Sequence, residues 1–390
     1  MYSNNRSRIE NAYAILFVAF IFMSSIFCNV SKVNLLFHSS LILLIGGAVF
    51  SSKIRDAVLA DKDFLKRLAI PMVFLAYFTL SNIWSGHPGN ISSTVKHSIY
   101  LIAFICIYRQ VELMGLKKYV ICAAFLGMTV LAILTLTMVD KTTLTTHRLE
   151  DAFPWAPDNV IDLGGYMVIG IFCGMIFIRE SGKNWLYALL PILFISLLLT
   201  QSRGPLIAFI AAFSLLFIVN PRYSLKNILY AFLIIFIVAL LIYLTKFSDI
   251  LIFRIENLYK QSFIRFGIWQ NAIEIAKDKP FFGWGYDKGL VFVNSIGQNI
   301  TTTHTIYLAS FLKGGIVGLL LMLSVVVLGL FQIRKHLLAG QKTEVSIFIF
   351  SLIYYMSQGM FIIGNPQEFW FLFWFPLAVI LSTPVKKLAD

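Results

Sequence analysis

The chain has 390 residues, 58% of them hydrophobic and only 13% charged, with a mean hydropathy of +0.81. An ordinary soluble domain carries about 25% charge and cannot hide so much apolar surface, so the composition excludes that class and requires lipid-facing helices. The net charge of +13 would suit a nucleic-acid binder. Here, however, Lys and Arg gather in short segments between apolar runs, where they set orientation in a membrane, and no nucleic-acid partner is expected.

A membrane-crossing helix needs roughly 20 apolar residues. Such runs fall at 12–30, 34–50, 68–84, 93–108, 119–139, 160–178, 185–201, 204–220, 227–245, 314–333, 344–362 and 369–385. The expectation is an all-α polytopic membrane protein of about twelve transmembrane helices. The first run lacks a small-residue cleavage site and a following soluble domain, so it reads as a retained span. Gln201–Gly204 is a very short turn between two spans. The run from Thr305 to Ile333 is too long for one upright span, so 304–313 is placed at the interface and the span itself near Gly314. Cys28, Cys106, Cys122 and Cys173 lie in or at the ends of apolar runs, which indicates neither a disulfide framework nor a cysteine zinc site.

With the N-terminus inside, 19 of the 32 basic residues fall on inner segments. Eight of the others lie in one long loop, 246–313, and long loops translocate largely regardless of charge. The useful comparison is therefore 19 against five, which puts both termini inside and the long loop outside. A hydrophilic stretch of that length is more than a connector. The division expected is 1–245 with helices one to nine, 246–313 as the large outer loop, and 314–390 with helices ten to twelve, all one integrated membrane domain. A second outer loop, 140–159, carries His147, Arg148, Glu150, Asp151 and Asp158 around Pro154-Trp155-Ala156-Pro157.

Three residues on the outer face stand where charge is costly. Arg203, in Thr200-Gln201-Ser202-Arg203-Gly204-Pro205, is held at the membrane surface by a tight turn and opposes the orientation bias. It reads either as a side chain snorkelling to lipid phosphates or as a fixed guanidinium fork for a phosphate or diphosphate. Arg265 opens a segment with apolar residues at 266, 269, 273 and 276, the spacing of a short amphipathic helix against the membrane or the bundle. That helix ends before Pro280, and Gly283-Trp284-Gly285-Tyr286 then reads as a turn. Arg265 is either a solvated charge beside the stripe or a second anion-binding group. His304 follows Thr301-Thr302-Thr303. With Thr302 or Thr303 as cap it would sit in the first turn of the next helix, as a surface histidine or as a general base near physiological pH. Arg148, Asp158, Asp162 and Lys313 are secondary candidates for the same cavity.

No outer carboxylate pair or His-x-x-x-His spacing suggests a metal, and neither a phosphate-cradling P-loop nor a Gly-x-Ser-x-Gly elbow is present. Asp61-Lys62-Asp63, on the inner side, reads as a solvated charge run. No metal and no cofactor are expected, and a reaction here would use an already activated, phosphate-linked substrate.

Three segments, in order, resemble the O-antigen ligase and polymerase superfamily of bacterial envelopes. Thr200-Gln201-Ser202-Arg203-Gly204 resembles its Ser-Arg-Gly turn. Arg265 to Gly285, with Trp269, Pro280, Gly283 and Gly285, resembles its Arg-bearing helix and Pro-x-x-Gly-x-Gly stretch in the large periplasmic loop. His304, Tyr307-Leu308 and Gly314-Gly315-Ile316-Val317-Gly318 resemble its His-Asn-x-x-Leu and Gly-x-x-Gly approach to the next span. Thr305 departs from the Asn common after that histidine. The likeness covers roughly residues 195–335, and the N-terminal half agrees in hydropathy only.

The resemblance implies a glycosyltransferase GT-C-like fold in the bacterial inner membrane, with the site facing the periplasm. It also implies a donor glycan on undecaprenyl diphosphate. Arg203 and Arg265 would hold the diphosphate, and His304 would deprotonate the attacking sugar hydroxyl. The outcome would be inversion without a metal. The ligase reading, with lipid A–core as acceptor in lipopolysaccharide assembly, is favoured by the single dominant outer loop. The alternative is the polymerase that extends the lipid-linked chain. A transporter or flippase is a further alternative, but the spans show few ionisable residues near their centres.

Overall fold

The computed structural model describes residues 7–28, 30–59, 61–140, 148–149, 153–218 and 263–382, with the side chains of residues 57, 58, 217 and 218 left aside. The chain enters α1 (Arg8–Ile26) through a reciprocal cap. Ser7 Oγ accepts from the Glu10 amide at 3.1 Å, and Glu10 Oε2 accepts from the Ser7 amide at 2.6 Å. Then follow α2 (Asn34–Phe50), a short α3 (Ser52–Leu59), α4 (Lys62–Leu80), α5 (Ile91–Leu113), α6 (Lys117–Met138) and α7 (Val160–Ser181). Asp61 caps α4 and Asn159 caps α7. After α7 come α8 (Leu190–Leu199) and α9 (Arg203–Ile218). In the outer-loop region, residues 263–277 are helical (α10) and a small antiparallel hairpin pairs Phe292 with Ile300. The chain closes with α11 (Ile306–Leu338), α12 (Lys342–Tyr354) and a wide turn, Trp370–Trp374, that runs into α13 (Phe375–Ser382).

Seven of these helical runs are long and apolar enough to cross a membrane: Arg8–Ile26, Ser31–Phe50, Lys62–Trp84, Pro88–Leu113, Lys117–Met138, Val160–Ser181 and Ile306–Leu338. Asn184–Leu199, Arg203–Leu216 and Trp370–Ser382 are shorter apolar helices. The protein is thus a helical, polytopic membrane protein. The expected span 227–245 lies outside the described residues.

Helix α7 is the centre of the bundle, with 83% of its most apolar stretch buried. It packs on α6, α8, α9 and α12, while α1 lies between α2 and α6. An aromatic knot of Phe37, Phe104 and Trp370, rings 5.0 and 5.1 Å apart, ties α2 and α5 to the last helix. One end of the bundle is held by ion pairs. The fully buried Glu344 accepts from Lys117 at 3.0 Å and from Arg179 at 2.6 and 3.2 Å. At the same end Arg109 pairs with Asp61 and donates to the Ser382 carbonyl. Asp61 is therefore a cap and an ion-pair partner, not part of the solvated charge run expected for 61–63.

Two runs depart from uniform helices. Helix α11 breaks at Gly315 (φ +61°, ψ −161°), where the sequence led us to divide the run. The run 344–362 was expected to be one span, but its helix stops at Tyr354 and residues 355–367 are irregular. Irregular backbone at this depth requires partners within the protein. It has them: Tyr355 O accepts from the Ile306 amide at 3.2 Å, Ile362 O from Trp374 Nε1 at 2.6 Å, and Ile363 O from the Tyr286 hydroxyl at 2.7 Å.

Candidate functional site

The turn before α9 is built to hold one conformation. Gln201 takes a left-handed backbone (φ +50°), which is unfavourable for a residue with a side chain by roughly 1–2 kcal/mol. Its surroundings fix it. Thr200 Oγ1 donates to Leu197 O at 2.6 Å and accepts from the Ser202 amide at 3.3 Å, and Ser202 Oγ donates to Val160 O in the first turn of α7. Arg148 clamps the same turn, with Nη2 donating to Ser202 Oγ at 2.9 Å and Nε to Thr200 O at 3.3 Å. The chain then enters α9 at Arg203 itself, whose guanidinium starts from the positive end of a helix.

His304 is the second non-glycine residue among those described with positive φ, at +53°. The expected cap at Thr302 or Thr303 is replaced by Thr305, whose extended backbone (φ −156°) begins α11, so His304 precedes the helix. The local reason is a hydrogen bond from Thr303 Oγ1 to Thr305 O at 2.8 Å, which turns the Thr-Thr-His-Thr stretch back on itself. Trp269 Nε1 donates to Thr303 O at 2.9 Å and so ties the Arg265 helix to the histidine's segment. Burial, and then the neighbouring Arg265 charge, push the His304 pKa below the ordinary histidine value.

Arg265 lies on α10. Ile268, Ala272 and Ala276 form its buried face, packed with Phe292 and Leu312, while Phe266 and Ile273 point outward. The expected stripe at 266, 269, 273 and 276 is thus rotated: the protein side takes the smaller residues. Arg265 is half-buried, makes no hydrogen bond or ion pair with the described residues, and has its pKa lowered by burial alone. A desolvated guanidinium beside a histidine, with no carboxylate among the described residues to neutralise it, is prepared for an anion.

The glycine-rich stretch after α10 has a structural task that its motif did not reveal. In an unbroken helix the Ile316 and Val317 amides would bond to Leu312 and Lys313 carbonyls. At the Gly315 break they bond instead to Pro280 O (2.8 Å) and Phe281 O (3.3 Å), and the two freed carbonyls accept from the Trp284 and Gly285 amides, each at 2.9 Å. The loop 280–285 is a backbone clasp inserted into the helix. Tyr77, in the last turn of α4, and Trp84, just beyond it, grip the clasp from the other side: the Tyr77 hydroxyl donates to Gly314 O (2.5 Å) in α11, and Trp84 Nε1 donates to Phe282 O (3.1 Å) in the loop. Lys313 belongs to this clasp, because its ammonium donates to Tyr286 O and lies 5.3 Å from the Tyr286 ring.

Arg203's turn and His304 meet on a stretch that sequence reasoning placed inside a span. A methyl group on Gly204 would lie 2.6 Å from Ser357 Oγ, and one on Gly359 would lie 2.5 Å from the His304 amide nitrogen. Ser357–Gly359 therefore touches both. Gln358 in turn reaches Asp162, with Nε2 donating to Oδ1 at 2.9 Å, and the Tyr354 hydroxyl donates to the same oxygen. Asp162 is buried, and Asp158 stands near the buried Glu368. The polar triplet Ser357-Gln358-Gly359, followed by Gly364-Asn365-Pro366, was the available signal that helix ends there. His147 lies outside the described residues. Among the described residues no three His, Cys, Asp or Glu side chains are grouped to hold a metal ion.

Fold and site together define a polytopic membrane protein in which the Arg203 turn, Arg265 and His304 lie at one end of a helical bundle. The comparisons are more specific. A profile of the family described as O-antigen ligase matches residues 187–323, the part that contains Arg203, Arg265 and His304. The chain is also 26% identical over 334 residues to an O-antigen ligase of Pseudomonas aeruginosa, an overlap of 81% of this chain and 77% of that relative. Both findings support the O-antigen ligase family, and with it a glycosyltransferase-like ligase.

Proposed function

We propose that this protein transfers a polysaccharide from undecaprenyl diphosphate to a sugar of lipid A–core, in the bacterial inner membrane and on its periplasmic side. In this reading the chain crosses the membrane about twelve times, as its apolar runs of roughly 20 residues require, with both termini cytoplasmic. Arg203 and Arg265 hold the donor diphosphate, and His304 takes the proton from the acceptor hydroxyl. The hydroxyl oxygen bonds to the anomeric carbon while the bond from that carbon to the diphosphate breaks. Undecaprenyl diphosphate leaves with the electron pair, and the configuration inverts. The arginines supply positive charge where the leaving group gains negative charge, so no metal is required. The observation that carries the reading is the desolvated Arg265, without a carboxylate partner among the described residues, beside a histidine whose pKa burial and that charge push down.

Replacing His304 or Arg203 with Ala in the native cell tests it. The expected result is loss of decorated lipopolysaccharide while long lipid-linked polymer accumulates. In purified membranes, loss of one arginine lowers turnover about 10²–10³-fold, the scale of a lost oxyanion donor, and EDTA leaves the wild-type rate unchanged. Accumulation of single repeat units would instead indicate the polymerase. Normal glycans in both variants would overturn the assignment.

A further inference from the structure

Asp162 is a carboxylic acid buried in the first turn of α7, 1% exposed, and one of its oxygens has no hydrogen-bond partner among the described residues. A buried carboxyl is costly unless it is satisfied, and an apolar residue of similar volume often packs there at no loss. Its other oxygen accepts from both Tyr354 and Gln358. Gln358 passes the restraint on, since its Oε1 accepts from the Gly359 amide at 2.9 Å, and Gly359 is the residue packed against the His304 backbone. The same turn of α7 also holds the other half of the site. Val160 O accepts from Ser202 Oγ at 3.3 Å, and a methyl group on Gly164 would lie 3.1 Å from Pro205 and 3.2 Å from Thr200.

We propose that Asp162 is a positioning residue, which acts through Gln358 to fix the Ser357–Gly359 backbone on which His304 and the Arg203 turn are seated. The first turn of α7 then sets the spacing between the group that takes the proton and a group that holds the leaving diphosphate. The restraint runs from carboxylate to amide side chain to backbone, and none of these groups touches substrate. Asp162 and Gln358 therefore control the alignment of donor and acceptor, not the affinity for either. The inference rests on the ligase reading of Arg203, Arg265 and His304.

The test is steady-state transfer by the full-length chain in reconstituted membranes, with lipid-linked donor and lipid A–core acceptor. Asp162→Leu and Gln358→Leu each lower kcat about 10²-fold, the cost of a misplacement near 1 Å, with donor KM little changed. The double variant is no slower than either single one, because both remove the same path. Asp162→Asn keeps an oxygen for both donors and restores most of the turnover. The proposal is overturned if either leucine variant turns over normally, or if its losses appear only in the amount of folded protein. It is also overturned if the two losses multiply, or if Asp162→Asn is as slow as Asp162→Leu. Wild-type turnover in His304→Ala and Arg203→Ala would be a different failure, that of the ligase reading itself.

Discussion

His304 has two features that rarely coincide. It holds a left-handed backbone with no glycine to relieve it, and its imidazole is desolvated beside a guanidinium. Strain of this kind persists only where the surroundings enforce it, and Trp269, Thr305 and Gly359 do so here. The electrostatic consequence has a definite sign. Burial disfavours the imidazolium, and Arg265 disfavours it further, so the neutral, proton-accepting form extends to lower pH than in an ordinary histidine with its pKa of about 6.5. The acid limb of kcat/KM for transfer is therefore expected below that value. Direct titration of the labelled histidine in Arg265→Gln should show the pKa rising, while still short of the ordinary value, because burial is the larger cause and remains. A wild-type titration at or above 6.5 would contradict the geometry.

At the scale of elements, the clasp between loop 280–285 and the broken helix α11 is where glycine matters most. Gly283 and Gly315 both have positive φ, and each would drive a methyl group into backbone of the facing segment, at 2.4 Å from the Gly315 nitrogen for Gly283 and 2.3 Å from Phe281 carbonyl atoms for Gly315. Rigid backbone cannot retreat as a side-chain tip can. Gly283→Ala and Gly315→Ala should each cost about 2–5 kcal/mol, from roughly 1–2 for the strained φ and about 1–3 for overpacking. Gly289→Ala, which meets nothing within 4 Å, should be neutral. Thermal unfolding in detergent reads both, and equal melting of all three variants would refute the clasp. This element was half legible in the sequence. The overlong run at 305–333 indicated a break near Gly314, since length alone excludes one upright span. The exchange of four hydrogen bonds was not legible, because it depends on which distant backbone reaches the gap. For the same reason Ser357–Gly359 was absorbed into an apolar run: hydropathy averages over three polar residues, while their partners Asp162, Gly204 and His304 come from three other segments.

At the scale of the whole molecule, the two ends of the bundle differ in kind. Arg203, Arg265 and His304 lie at the end where α7 begins and α12 finishes, and the ion pairs of Glu344 with Lys117 and Arg179 lie at the other. Asp61 with Arg109, and Glu10 with Lys53, belong to that second end as well. A basic excess at one end is what retains that end in the cytoplasm, and 19 of the 32 basic residues fall on the segments that the sequence reading assigns to the inner side. The sidedness that the ligase reading needs is thus a measurable property of the chain. With Cys28, Cys106, Cys122 and Cys173 replaced by Ser, a single cysteine at exposed Gln298 or Lys277 should react with a membrane-impermeant maleimide added to intact spheroplasts. One placed at Lys118, Lys183 or Lys342 should react only after the membrane is opened. Labelling of both groups from the same side would separate His304 from the periplasm, and no lipid-linked glycan could then meet Arg203 and Arg265 where the mechanism requires them.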